Sequence, residues 1–271
     1  GGLGGEQNKD IKPIHSINCN EILGGKVFCF QSDMDKLICS ITCLVEPGSK
    51  KGRGVVALFD LNTMQLSHRI KPFPKEERDP ITIRSLQFWE YSLCIATQRS
   101  AHLFDFRSND VNRDVIKMKQ EKGQAFVTQV SMSGNKVAVS DTDNKICLYD
   151  IRSPSEPVKI FKPDAPEPRV YVREVRLDGG LLYSVHNSNQ YQEFKGTKVF
   201  FWDVVSGECF GAITRKEGIK SKINTFDVTN FPNTNHPVVL TGHGERGIAE
   251  DLNCVFAWHA LPPKAKAKNI F

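Results

Sequence analysis

The sequence predicts an all-β fold, a β-propeller made of four-stranded antiparallel blades. Two observations predict it. An aromatic residue followed by Asp recurs at intervals of about 45 residues, which is the length of one propeller blade. Between these pairs, short runs with apolar residues at every second position alternate with turns rich in Gly, Asn, Asp, Ser and Pro, as strands and hairpins require.

The repeat is marked by an aromatic residue near the end of the third strand of each predicted unit. The successive Asp residues lie 45, 45 and 53 positions apart, and a degraded fifth pair with His in place of Asp follows 56 positions later. The pairs are Phe59-Asp60, Phe104-Asp105, Tyr149-Asp150, Trp202-Asp203 and Trp258-His259. The two longer intervals indicate insertions into a common unit.

The third unit shows its four predicted strands most clearly. Apolar residues alternate along 125–132, 136–143, 144–151 and 157–163, and turn-forming residues separate these runs. Strands are predicted at 26–31, 36–45, 54–61 and 64–70 in the first unit, at 84–89, 91–98, 101–106 and 113–120 in the second, and at 172–177, 181–186, 198–204 and 208–213 in the fourth.

The fifth unit is incomplete, and a strand is left over at the other end of the chain. Strands are predicted at 223–228, 237–242 and 254–261, with no clear fourth strand after them. The segment "IHSINC" (14–19) precedes the first unit and belongs to none. We expect this N-terminal strand to complete the last blade beside 254–261 and close the ring, which gives five blades by count.

The best-preserved unit resembles the WD-repeat family. Residues 140–150, "SDTDNKICLYD", follow the family pattern Ser/Gly-x-x-Asp-Gly/Asn-x-Ile-x-Leu-Trp-Asp, with Asp143 in the place of the family's tight-turn Asp. The five units span residues 14–261. The chain lacks the family's Gly-His dipeptide between strands four and one, and only one Trp-Asp pair is present. Because most members have seven blades, the resemblance leaves the blade number open between five and seven.

The units divide the chain into three parts. Residues 11–261 are predicted to form a single propeller domain. Residues 1–10, "GGLGGEQNKD", are predicted to be a flexible N-terminal segment, a remnant of cloning or the start of a fragment. Residues 262–271, which contain "KAKAK", are predicted to be a basic C-terminal tail.

Composition restricts the class of partner. The net charge of +5 is milder than that of a dedicated nucleic-acid domain, and no apolar run of eighteen residues predicts a membrane span. Eight Cys residues occur without a CxxC pair, in apolar surroundings. We expect them to be reduced and buried, as in a cytoplasmic or nuclear protein.

No motif indicates catalysis. GxSxG, HExxH, GxxxxGK[ST] and strand-led GxGxxG patterns do not occur. The seven His residues lie mostly in strand patterns, where a structural role is expected, and His243 in "TGHGERG" has the most unusual neighbours. The recurring Asp residues are predicted to cap turns rather than to converge on a substrate. We therefore expect a protein that is not an enzyme and has neither a metal nor a cofactor.

The long loops point to a binding surface. In the family, the loops that join strand two to three and strand four to one share one face, the top face, and the other loops form the bottom face. The long insertions, at 46–53, 71–82, 162–171, 187–197 and 243–253, all map to the top face. The predicted partner-binding residues there are Lys51, Arg53, Arg169, Tyr171, Tyr191, Phe194, Glu245 and Arg246. Solvated loops without a partner are the alternative.

Two Arg residues on the bottom face have two alternative roles. Arg107 and Arg152 each follow an aromatic–Asp–x triplet at the exit of a third strand. This pattern resembles the signature of substrate receptors of cullin–RING ubiquitin ligases, which implies adaptor docking by these Arg residues, oriented by Asp105 and Asp150. In the alternative, Arg bonds locally to its own turn. The aromatic residues here are Phe and Tyr, where the signature has Trp.

We therefore predict a non-catalytic protein-interaction scaffold that binds a peptide or protein through its top-face loops, within a larger complex. A ligase substrate receptor and an RNA- or nucleic-acid-associated assembly factor are the alternatives. The short basic runs "SKKGR" and "KAKAK" support nucleic acid only weakly, and no membrane partner is expected. The sequence does not indicate an oligomeric state.

Overall fold

The structure is a computed structural model. It describes residues 16, 18, 25–33, 36–43, 53–70, 83–98, 100–105, 114–117, 126–163, 170–188, 198–214, 222–230, 237–244 and 254–259. Every regular element among these residues is a β-strand.

The described residues form five antiparallel sheets, one for each predicted unit, and chain order equals spatial order in all of them. The first sheet contains β1 (Gly25–Asp33), β2 (Lys36–Cys43), β3 (Arg53–Asp60) and β4 (Gln65–Ile70). The second contains β5 (Ser85–Trp89), β6 (Ser92–Ala96), β7 (Ser100–Asp105) and β8 (Asp114–Lys117). The third contains β9 (Val127–Ser133), β10 (Lys136–Asp141), β11 (Ile146–Asp150) and β12 (Lys159–Phe161). The fourth contains β13 (Val170–Asp178), β14 (Leu181–Ser188), β15 (Lys198–Asp203) and β16 (Cys209–Thr214), and the fifth β17 (Lys222–Asn230), β18 (Pro237–Gly244) and β19 (Cys254–His259).

Short turns between the first two strands repeat the same backbone geometry. Glu90, Gly134 and Gly179 are each the first residue of a two-residue turn, and their φ angles are 52°, 54° and 54°. A positive φ at this position suits the right-handed twist of a hairpin, and Gly adopts it without steric cost. Of these three residues, Glu90 is the one with a side chain, so the second sheet carries backbone strain that the third and fourth avoid.

A β-bulge recurs at one position of the first strand. The pairing register shifts between Val27 and Cys29, between Val172 and Glu174, and between Ile223 and Thr225. The shift lies six residues before the end of the first strand in the first and fourth sheets and seven residues before it in the fifth, so the three sheets share a backbone irregularity as well as a sequence pattern.

The sheets pack face to face in chain order, each through its first strand against the sheet before it. The cluster between the third and fourth sheets shows the principle, because Ala138 and Leu148 on one side meet Val172, Val175 and Leu177 on the other, all buried. Alternate residues of each strand thus face opposite neighbours, which explains the period-two apolar pattern of the sequence.

Polar groups of one first strand bond the backbone of the next first strand. Phe88 N–H donates to Gln31 Oε1 at 2.5 Å, and Leu177 N–H donates to Ser131 Oγ at 2.8 Å, from equivalent positions of the first and third sheets. Ser85 lies two residues further from the hairpin turn than the position of Gln31, and its Oγ accepts from Val130 N–H at 3.4 Å. The first strands of neighbouring units therefore carry a side-chain oxygen that accepts a hydrogen bond from the backbone of the next sheet. The sequence pattern alone did not reveal this bond.

A buried polar chain joins the third and fourth sheets. Trp202 Nε1–H donates to Ser184 Oγ at 2.9 Å, Ser184 Oγ lies 2.8 Å from His186 Nε2, and His186 Nδ1 lies 2.5 Å from Asn144 Oδ1. Burial lowers the pKa of His186 to about 3. The neutral His186 ring then accepts from Ser184 Oγ and donates from Nδ1 to Asn144 Oδ1, so both ring nitrogens have a hydrogen-bond partner.

The third-sheet turn that matched the family pattern is held by a different carboxylate from the one expected. Asp141 Oδ1 accepts from the backbone N–H groups of Asp143 and Lys145, both at 3.0 Å, and Asp141 is buried. Burial raises the pKa of Asp141, while its ion pair with Lys145 at 3.8 Å opposes that shift. Asp143 itself is exposed. Asn144 has a φ of 64°, a conformation that Asn tolerates better than most residues.

The structure confirms the nineteen predicted strands of the five units. A fourth strand of the fifth unit would follow His259, where the chain lies outside the described residues, so its absence stays a prediction. Closure of the ring by residues 14–19 stays a prediction. Ser16 and Asn18 are exposed and lie outside any strand, and the other four residues lie outside the described part of the chain. Residues 1–10 and 262–271 also lie outside it.

The prediction that the cysteines are buried is correct for two residues and wrong for one. Cys94 and Cys147 are buried, and burial raises the pKa of Cys94 far above its usual range, which keeps the thiol protonated. Cys209 is exposed because it lies on the outer strand β16, where an apolar neighbourhood in sequence does not ensure burial. Its thiol lies 3.4 Å from the carbonyl oxygen of Gly211.

Candidate functional site

The turns after first strands and the exits of third strands lie on one face of the sheets. In the third sheet, Lys136 pairs with both Ser133 and Asp150, which puts the first turn and the third-strand exit at the same end. Gly179 N–H donates to Ser133 Oγ at 3.2 Å, which brings the first turn of the fourth sheet to that end too. This end is the predicted bottom face, and the opposite ends of the strands form the top face.

At three third-strand exits, the Asp residues Asp60, Asp150 and Asp203 cap turns, as predicted. The turn after Asp105 lies outside the described residues. Asp60 Oδ1 accepts from the backbone N–H groups of Asn62 at 2.8 Å and Thr63 at 3.1 Å. Asp203 Oδ1 accepts from Ser206 N–H at 2.6 Å. Hydrogen bonds from the backbone and side chain of Ser206 lower the pKa of Asp203. A short side-chain acceptor thus stabilises a turn whose N–H groups lack strand partners.

Asp150 caps its turn and also binds Arg152. Asp150 Oδ1 accepts from Arg152 N–H at 3.0 Å and from Arg152 Nε at 2.9 Å, and Asp150 Oδ2 accepts from Arg152 Nη2 at 2.6 Å. This two-point contact and Lys136 at 3.6 Å hold the pKa of Asp150 well below its usual range. The Arg152 side chain is nevertheless 71% exposed. A local bond and an outward-facing guanidinium therefore coexist at this position.

The second predicted bottom-face pair is described only in part. Asp105 is half-buried at the end of β7, and Arg107 lies outside the described residues. The choice between docking and local bonding for these Arg residues stays open, because the geometry at Arg152 suits both roles.

Most predicted top-face residues lie outside the described part of the chain: Lys51, Arg169, Tyr191, Phe194, Glu245 and Arg246. Arg53 begins β3 and pairs with Cys43, and Tyr171 is half-buried in β13 opposite Asn187. Tyr171 is thus the one predicted top-face residue whose side-chain burial the structure describes.

The first turn of the second sheet exposes two aromatic side chains that the sequence analysis did not single out. Trp89 is 39% exposed and Tyr91 is 58% exposed, on either side of the strained Glu90. We call residues 89–91 the aromatic hairpin. It lies on the bottom face, and Trp and Tyr are the residue types that most often anchor protein interfaces. The sequence placed Trp89 at a strand end, where alternation no longer predicts which side chains are covered.

The seam between the fourth and fifth sheets differs from its neighbours in polarity. Paired residues of antiparallel strands share a face, so Tyr171, Glu174 and Arg176 lie on the face that carries Asn187, Val185 and Tyr183. That face meets the fifth sheet, where Tyr183 and Val185 pack with Ile223 and Phe226. We call the face formed by Tyr171, Glu174, Arg176, Tyr183 and Asn187 the polar seam. The opposite face of β13 is apolar and packs on the third sheet.

Two groups of the polar seam, on Tyr183 and Asn187, are buried, and a third, the carboxyl group of Glu174, is half-buried. Burial raises the pKa of Glu174 to about 7, although a hydrogen bond from Phe226 N–H and the nearby Arg173 and Arg176 oppose the shift. Burial also raises the pKa of Tyr183 to about 12. Among the described residues, neither the Tyr183 hydroxyl nor Asn187 Oδ1 has a hydrogen-bond partner, and both residues are only 1% exposed. Native interiors rarely leave such groups unpaired.

Among the described residues, neither His102 nor His186 nor a metal-binding cluster forms a further candidate site. His186 is fully bonded in its buried chain, and His102 Nε2 lies 2.8 Å from Ser100 Oγ, so the expected structural role is confirmed for both. The side chain of His243 lies outside the described ones. No group of three His, Cys, Asp or Glu residues suited to a metal ion occurs in the described part of the chain. Nor do the described residues include a helix with the length and apolar character needed to cross a membrane.

Comparison with known proteins supports the fold. No protein-family model and no curated protein sequence matches the chain. Among solved structures, it resembles a chain of a mitotic checkpoint complex, with a TM-score of 0.57 and 14% identity, over 82% of this chain and 59% of that one. It also resembles the computationally designed protein Ika8, with a TM-score of 0.50 and 12% identity, over 86% and 71% of the two chains. The chain thus spans 59% of the length of the checkpoint-complex chain. Identities this low concern the fold alone, and membership of the WD-repeat family stays a prediction.

Proposed function

We propose that this chain is a non-catalytic protein-interaction platform that works within a larger complex. The observation that carries the proposal is the aromatic hairpin, which exposes Trp89 and Tyr91 at the rim of bonded sheets. Its base is rigid, because Gln31 both donates to Phe88 O at 3.2 Å and accepts from Phe88 N–H. Rigid aromatic side chains lose little conformational entropy on binding, which favours their use as anchors.

The long top-face loops are the second part of the same proposal. Their Arg, Tyr and Phe residues have interface character in sequence, and Tyr171 lies at the top end of the polar seam. We propose that a peptide or protein domain binds there, as the loop lengths predict. A platform with one partner on each face is the arrangement expected of a subunit within an assembly.

Affinity capture with three matched variants tests the proposal. Trp89→Thr/Tyr91→Thr removes the aromatic hairpin, and Tyr191→Ala/Phe194→Ala removes two predicted top-face anchors. Val158→Thr/Ile160→Thr is the control, because both residues are 51% exposed but lie beside or on the outer strand β12. Equal melting temperatures establish that each variant is folded.

We expect each face variant to lose a distinct set of captured proteins by at least about tenfold, and the control to lose none. The same captured proteins at the same amounts from all four chains would contradict the platform proposal. A reaction product that appears on incubation with the purified chain alone would contradict its non-catalytic part.

A second candidate function is that of a ubiquitin-ligase substrate receptor. Two observations favour it: the Arg152 side chain is 71% exposed, and the aromatic hairpin lies on the same bottom face. Arg107→Ala/Arg152→Ala is expected to abolish co-purification of a propeller adaptor, while Lys136→Ala, which touches the same Asp150, leaves it unchanged. Adaptor recovery that is equal in both variants, or absent from the wild type, would exclude this role.

The nucleic-acid alternative rests on the mildly basic charge of +5 and the two short basic runs. Binding through phosphate contacts is expected to fall steeply between low and moderate salt, so a titration of single-stranded RNA at about 50 and 200 mM salt tests it. Absence of binding at low salt would remove this alternative.

A further inference from the structure

The charge of Glu174 is not required by the packing of the sheets. In the second sheet, Ser85 Oγ faces Val130 N–H of the next sheet from the position equivalent to Glu174. Glu174 accepts from Phe226 N–H of the next sheet in the same way. A hydroxyl is enough for this bond, so the repeat explains an acceptor at Glu174 but leaves the carboxylate of this half-buried residue unexplained.

Asn187 adds a second acceptor without a partner on the same face. Asn187 Nδ2 donates to Ile223 O at 2.8 Å, which fixes the orientation of the amide, because a carbonyl oxygen only accepts. Oδ1 is then turned away from Ile223, and among the described residues it meets no donor. Asn187 lies two residues from Val185, the partner of Glu174 across the strands, which is about 7 Å along β14.

The surroundings of Glu174 favour a cation rather than an anion. The charged groups that face it are Arg173 and Arg176 on its own strand and Asp227 on β17. Arg176 Nη2 lies 3.8 Å from Asp227 Oδ1, so these two charges are matched to each other. Arg173 is exposed, so solvent screens its charge from Glu174. Tyr171 and Tyr183 supply an aromatic ring and a hydroxyl on the same face. Carboxylate, amide oxygen and aromatic ring together are the groups that bind an ammonium or guanidinium.

We propose that the polar seam receives a Lys or Arg side chain of a peptide partner at its top end, with Glu174 and Asn187 as acceptors and Tyr171 as the flanking ring. This inference rests on the proposed platform function and names the chemistry of the partner. A cation there compensates the charge of the half-buried Glu174 and supplies a hydrogen-bond donor to Asn187 Oδ1. On its other face, towards the third sheet, β13 carries Val172, Val175 and Leu177 instead of a carboxylate, so no such site is expected there.

Binding of a cation beside Glu174 releases a proton near neutral pH. An opposite charge within hydrogen-bond distance lowers a carboxyl pKa by about 1 to 3 units. Starting from a pKa of about 7, Glu174 is mostly protonated at pH 6 without the cation and mostly ionised at that pH when the cation is bound. The affinity of the site is therefore expected to rise between about pH 6 and pH 7.

The test uses N-acetyl-arginine amide as the probe and N-acetyl-citrulline amide as its neutral isostere. The full chain is labelled with carbon-13 at the Glu side-chain carboxyl carbons, and the Glu174 resonance is assigned by its loss in Glu174→Gln. Each probe is added to tens of millimolar, and the carboxyl pKa is measured. Gln keeps an acceptor for Phe226 N–H, so this variant is expected to fold.

We expect the arginine probe to lower the Glu174 pKa by at least about 1 unit and citrulline to leave it unchanged. Glu208, which is exposed on the bottom face, is the internal control and is expected not to respond. No shift at Glu174, or an equal shift with both probes or at Glu208, would overturn the inference. Face-specific capture of partners in the preceding experiment would then still stand, so the two failures are distinguishable.

Discussion

Replacement of Glu90 by Gly is expected to stabilise the chain. Glu90 holds a φ of 52° in the aromatic hairpin, while Gly134 and Gly179 adopt 54° at equivalent positions. Left-handed backbone costs an L-residue about 1–2 kcal/mol. Gly offsets about 0.5–1 kcal/mol of this gain, because it raises the conformational entropy of the unfolded chain. The free energy of unfolding is therefore expected to rise by about 0.5–1 kcal/mol.

Two reverse substitutions isolate the backbone contribution. A Cβ added at Gly134 or Gly179 meets no atom within 4 Å, so strain there comes from φ and not from a clash. Gly134→Ala and Gly179→Ala are expected to lower the free energy of unfolding by an amount of similar size.

Urea denaturation at constant pH measures all three variants, and a rise of about 1–4 °C in melting temperature accompanies the expected gain. Loss of stability in Glu90→Gly, with the expected loss in both Ala variants, would refute the reasoning, because it would show that the Glu90 side chain offsets its strain. Since Gly keeps the turn geometry, partner capture through Trp89 and Tyr91 is expected to survive the substitution.

Three further predictions concern buried and capping groups. Tyr183→Phe removes a buried hydroxyl that lacks a partner among the described residues, so the free energy of unfolding is expected to rise by about 1 kcal/mol in urea melts; a loss would mean that the hydroxyl is bonded. The pKa of His186 is about 3 in the folded chain and about 6.5 in the unfolded chain, so its neutral form stabilises the fold fully above pH 6.5 and loses this effect as pH falls. Between pH 7 and pH 5 the wild type is expected to lose about 2 kcal/mol more than His186→Gln, and parallel stability profiles would contradict this. Arg152→Ala is expected to change the free energy of unfolding little, because the pair is at the surface. Asp150→Ala is expected to lower it more, because it also removes the acceptor for Arg152 N–H; the reverse order in denaturation would contradict the capping role.

Much of the fold was predictable because its signals are local. Alternation along a strand and turn residues between strands are properties of neighbouring positions, so the five units and their strand limits follow from the sequence within a few residues. The capping role of Asp60, Asp150 and Asp203 was predictable for the same reason, since each Asp bonds N–H groups two or three positions later.

The candidate sites were less predictable because they depend on which faces meet. Strict alternation would place Tyr171 and Arg173 on one face of β13, and Val172 and Glu174 on the other. The bulge between Val172 and Glu174 shifts this alternation by one residue, so Glu174 faces the fifth sheet instead. The exposure of Trp89 and Tyr91 likewise depends on how far the neighbouring sheet covers the end of β5. Neither property is a feature of a short stretch of sequence.

The sequence by itself determined the repeat, the order of strands within each unit and the turns that join them, because local backbone preferences and period-two burial encode all three. The tertiary structure alone decided which polar groups face each other across the seams. His186 meets Asn144 from 42 positions away, and Asn187 meets Ile223 from 36. Such pairs arise when separately encoded sheets pack. The half-buried Glu174 likewise acquires its raised pKa only in the packed seam, since desolvation is a property of that seam.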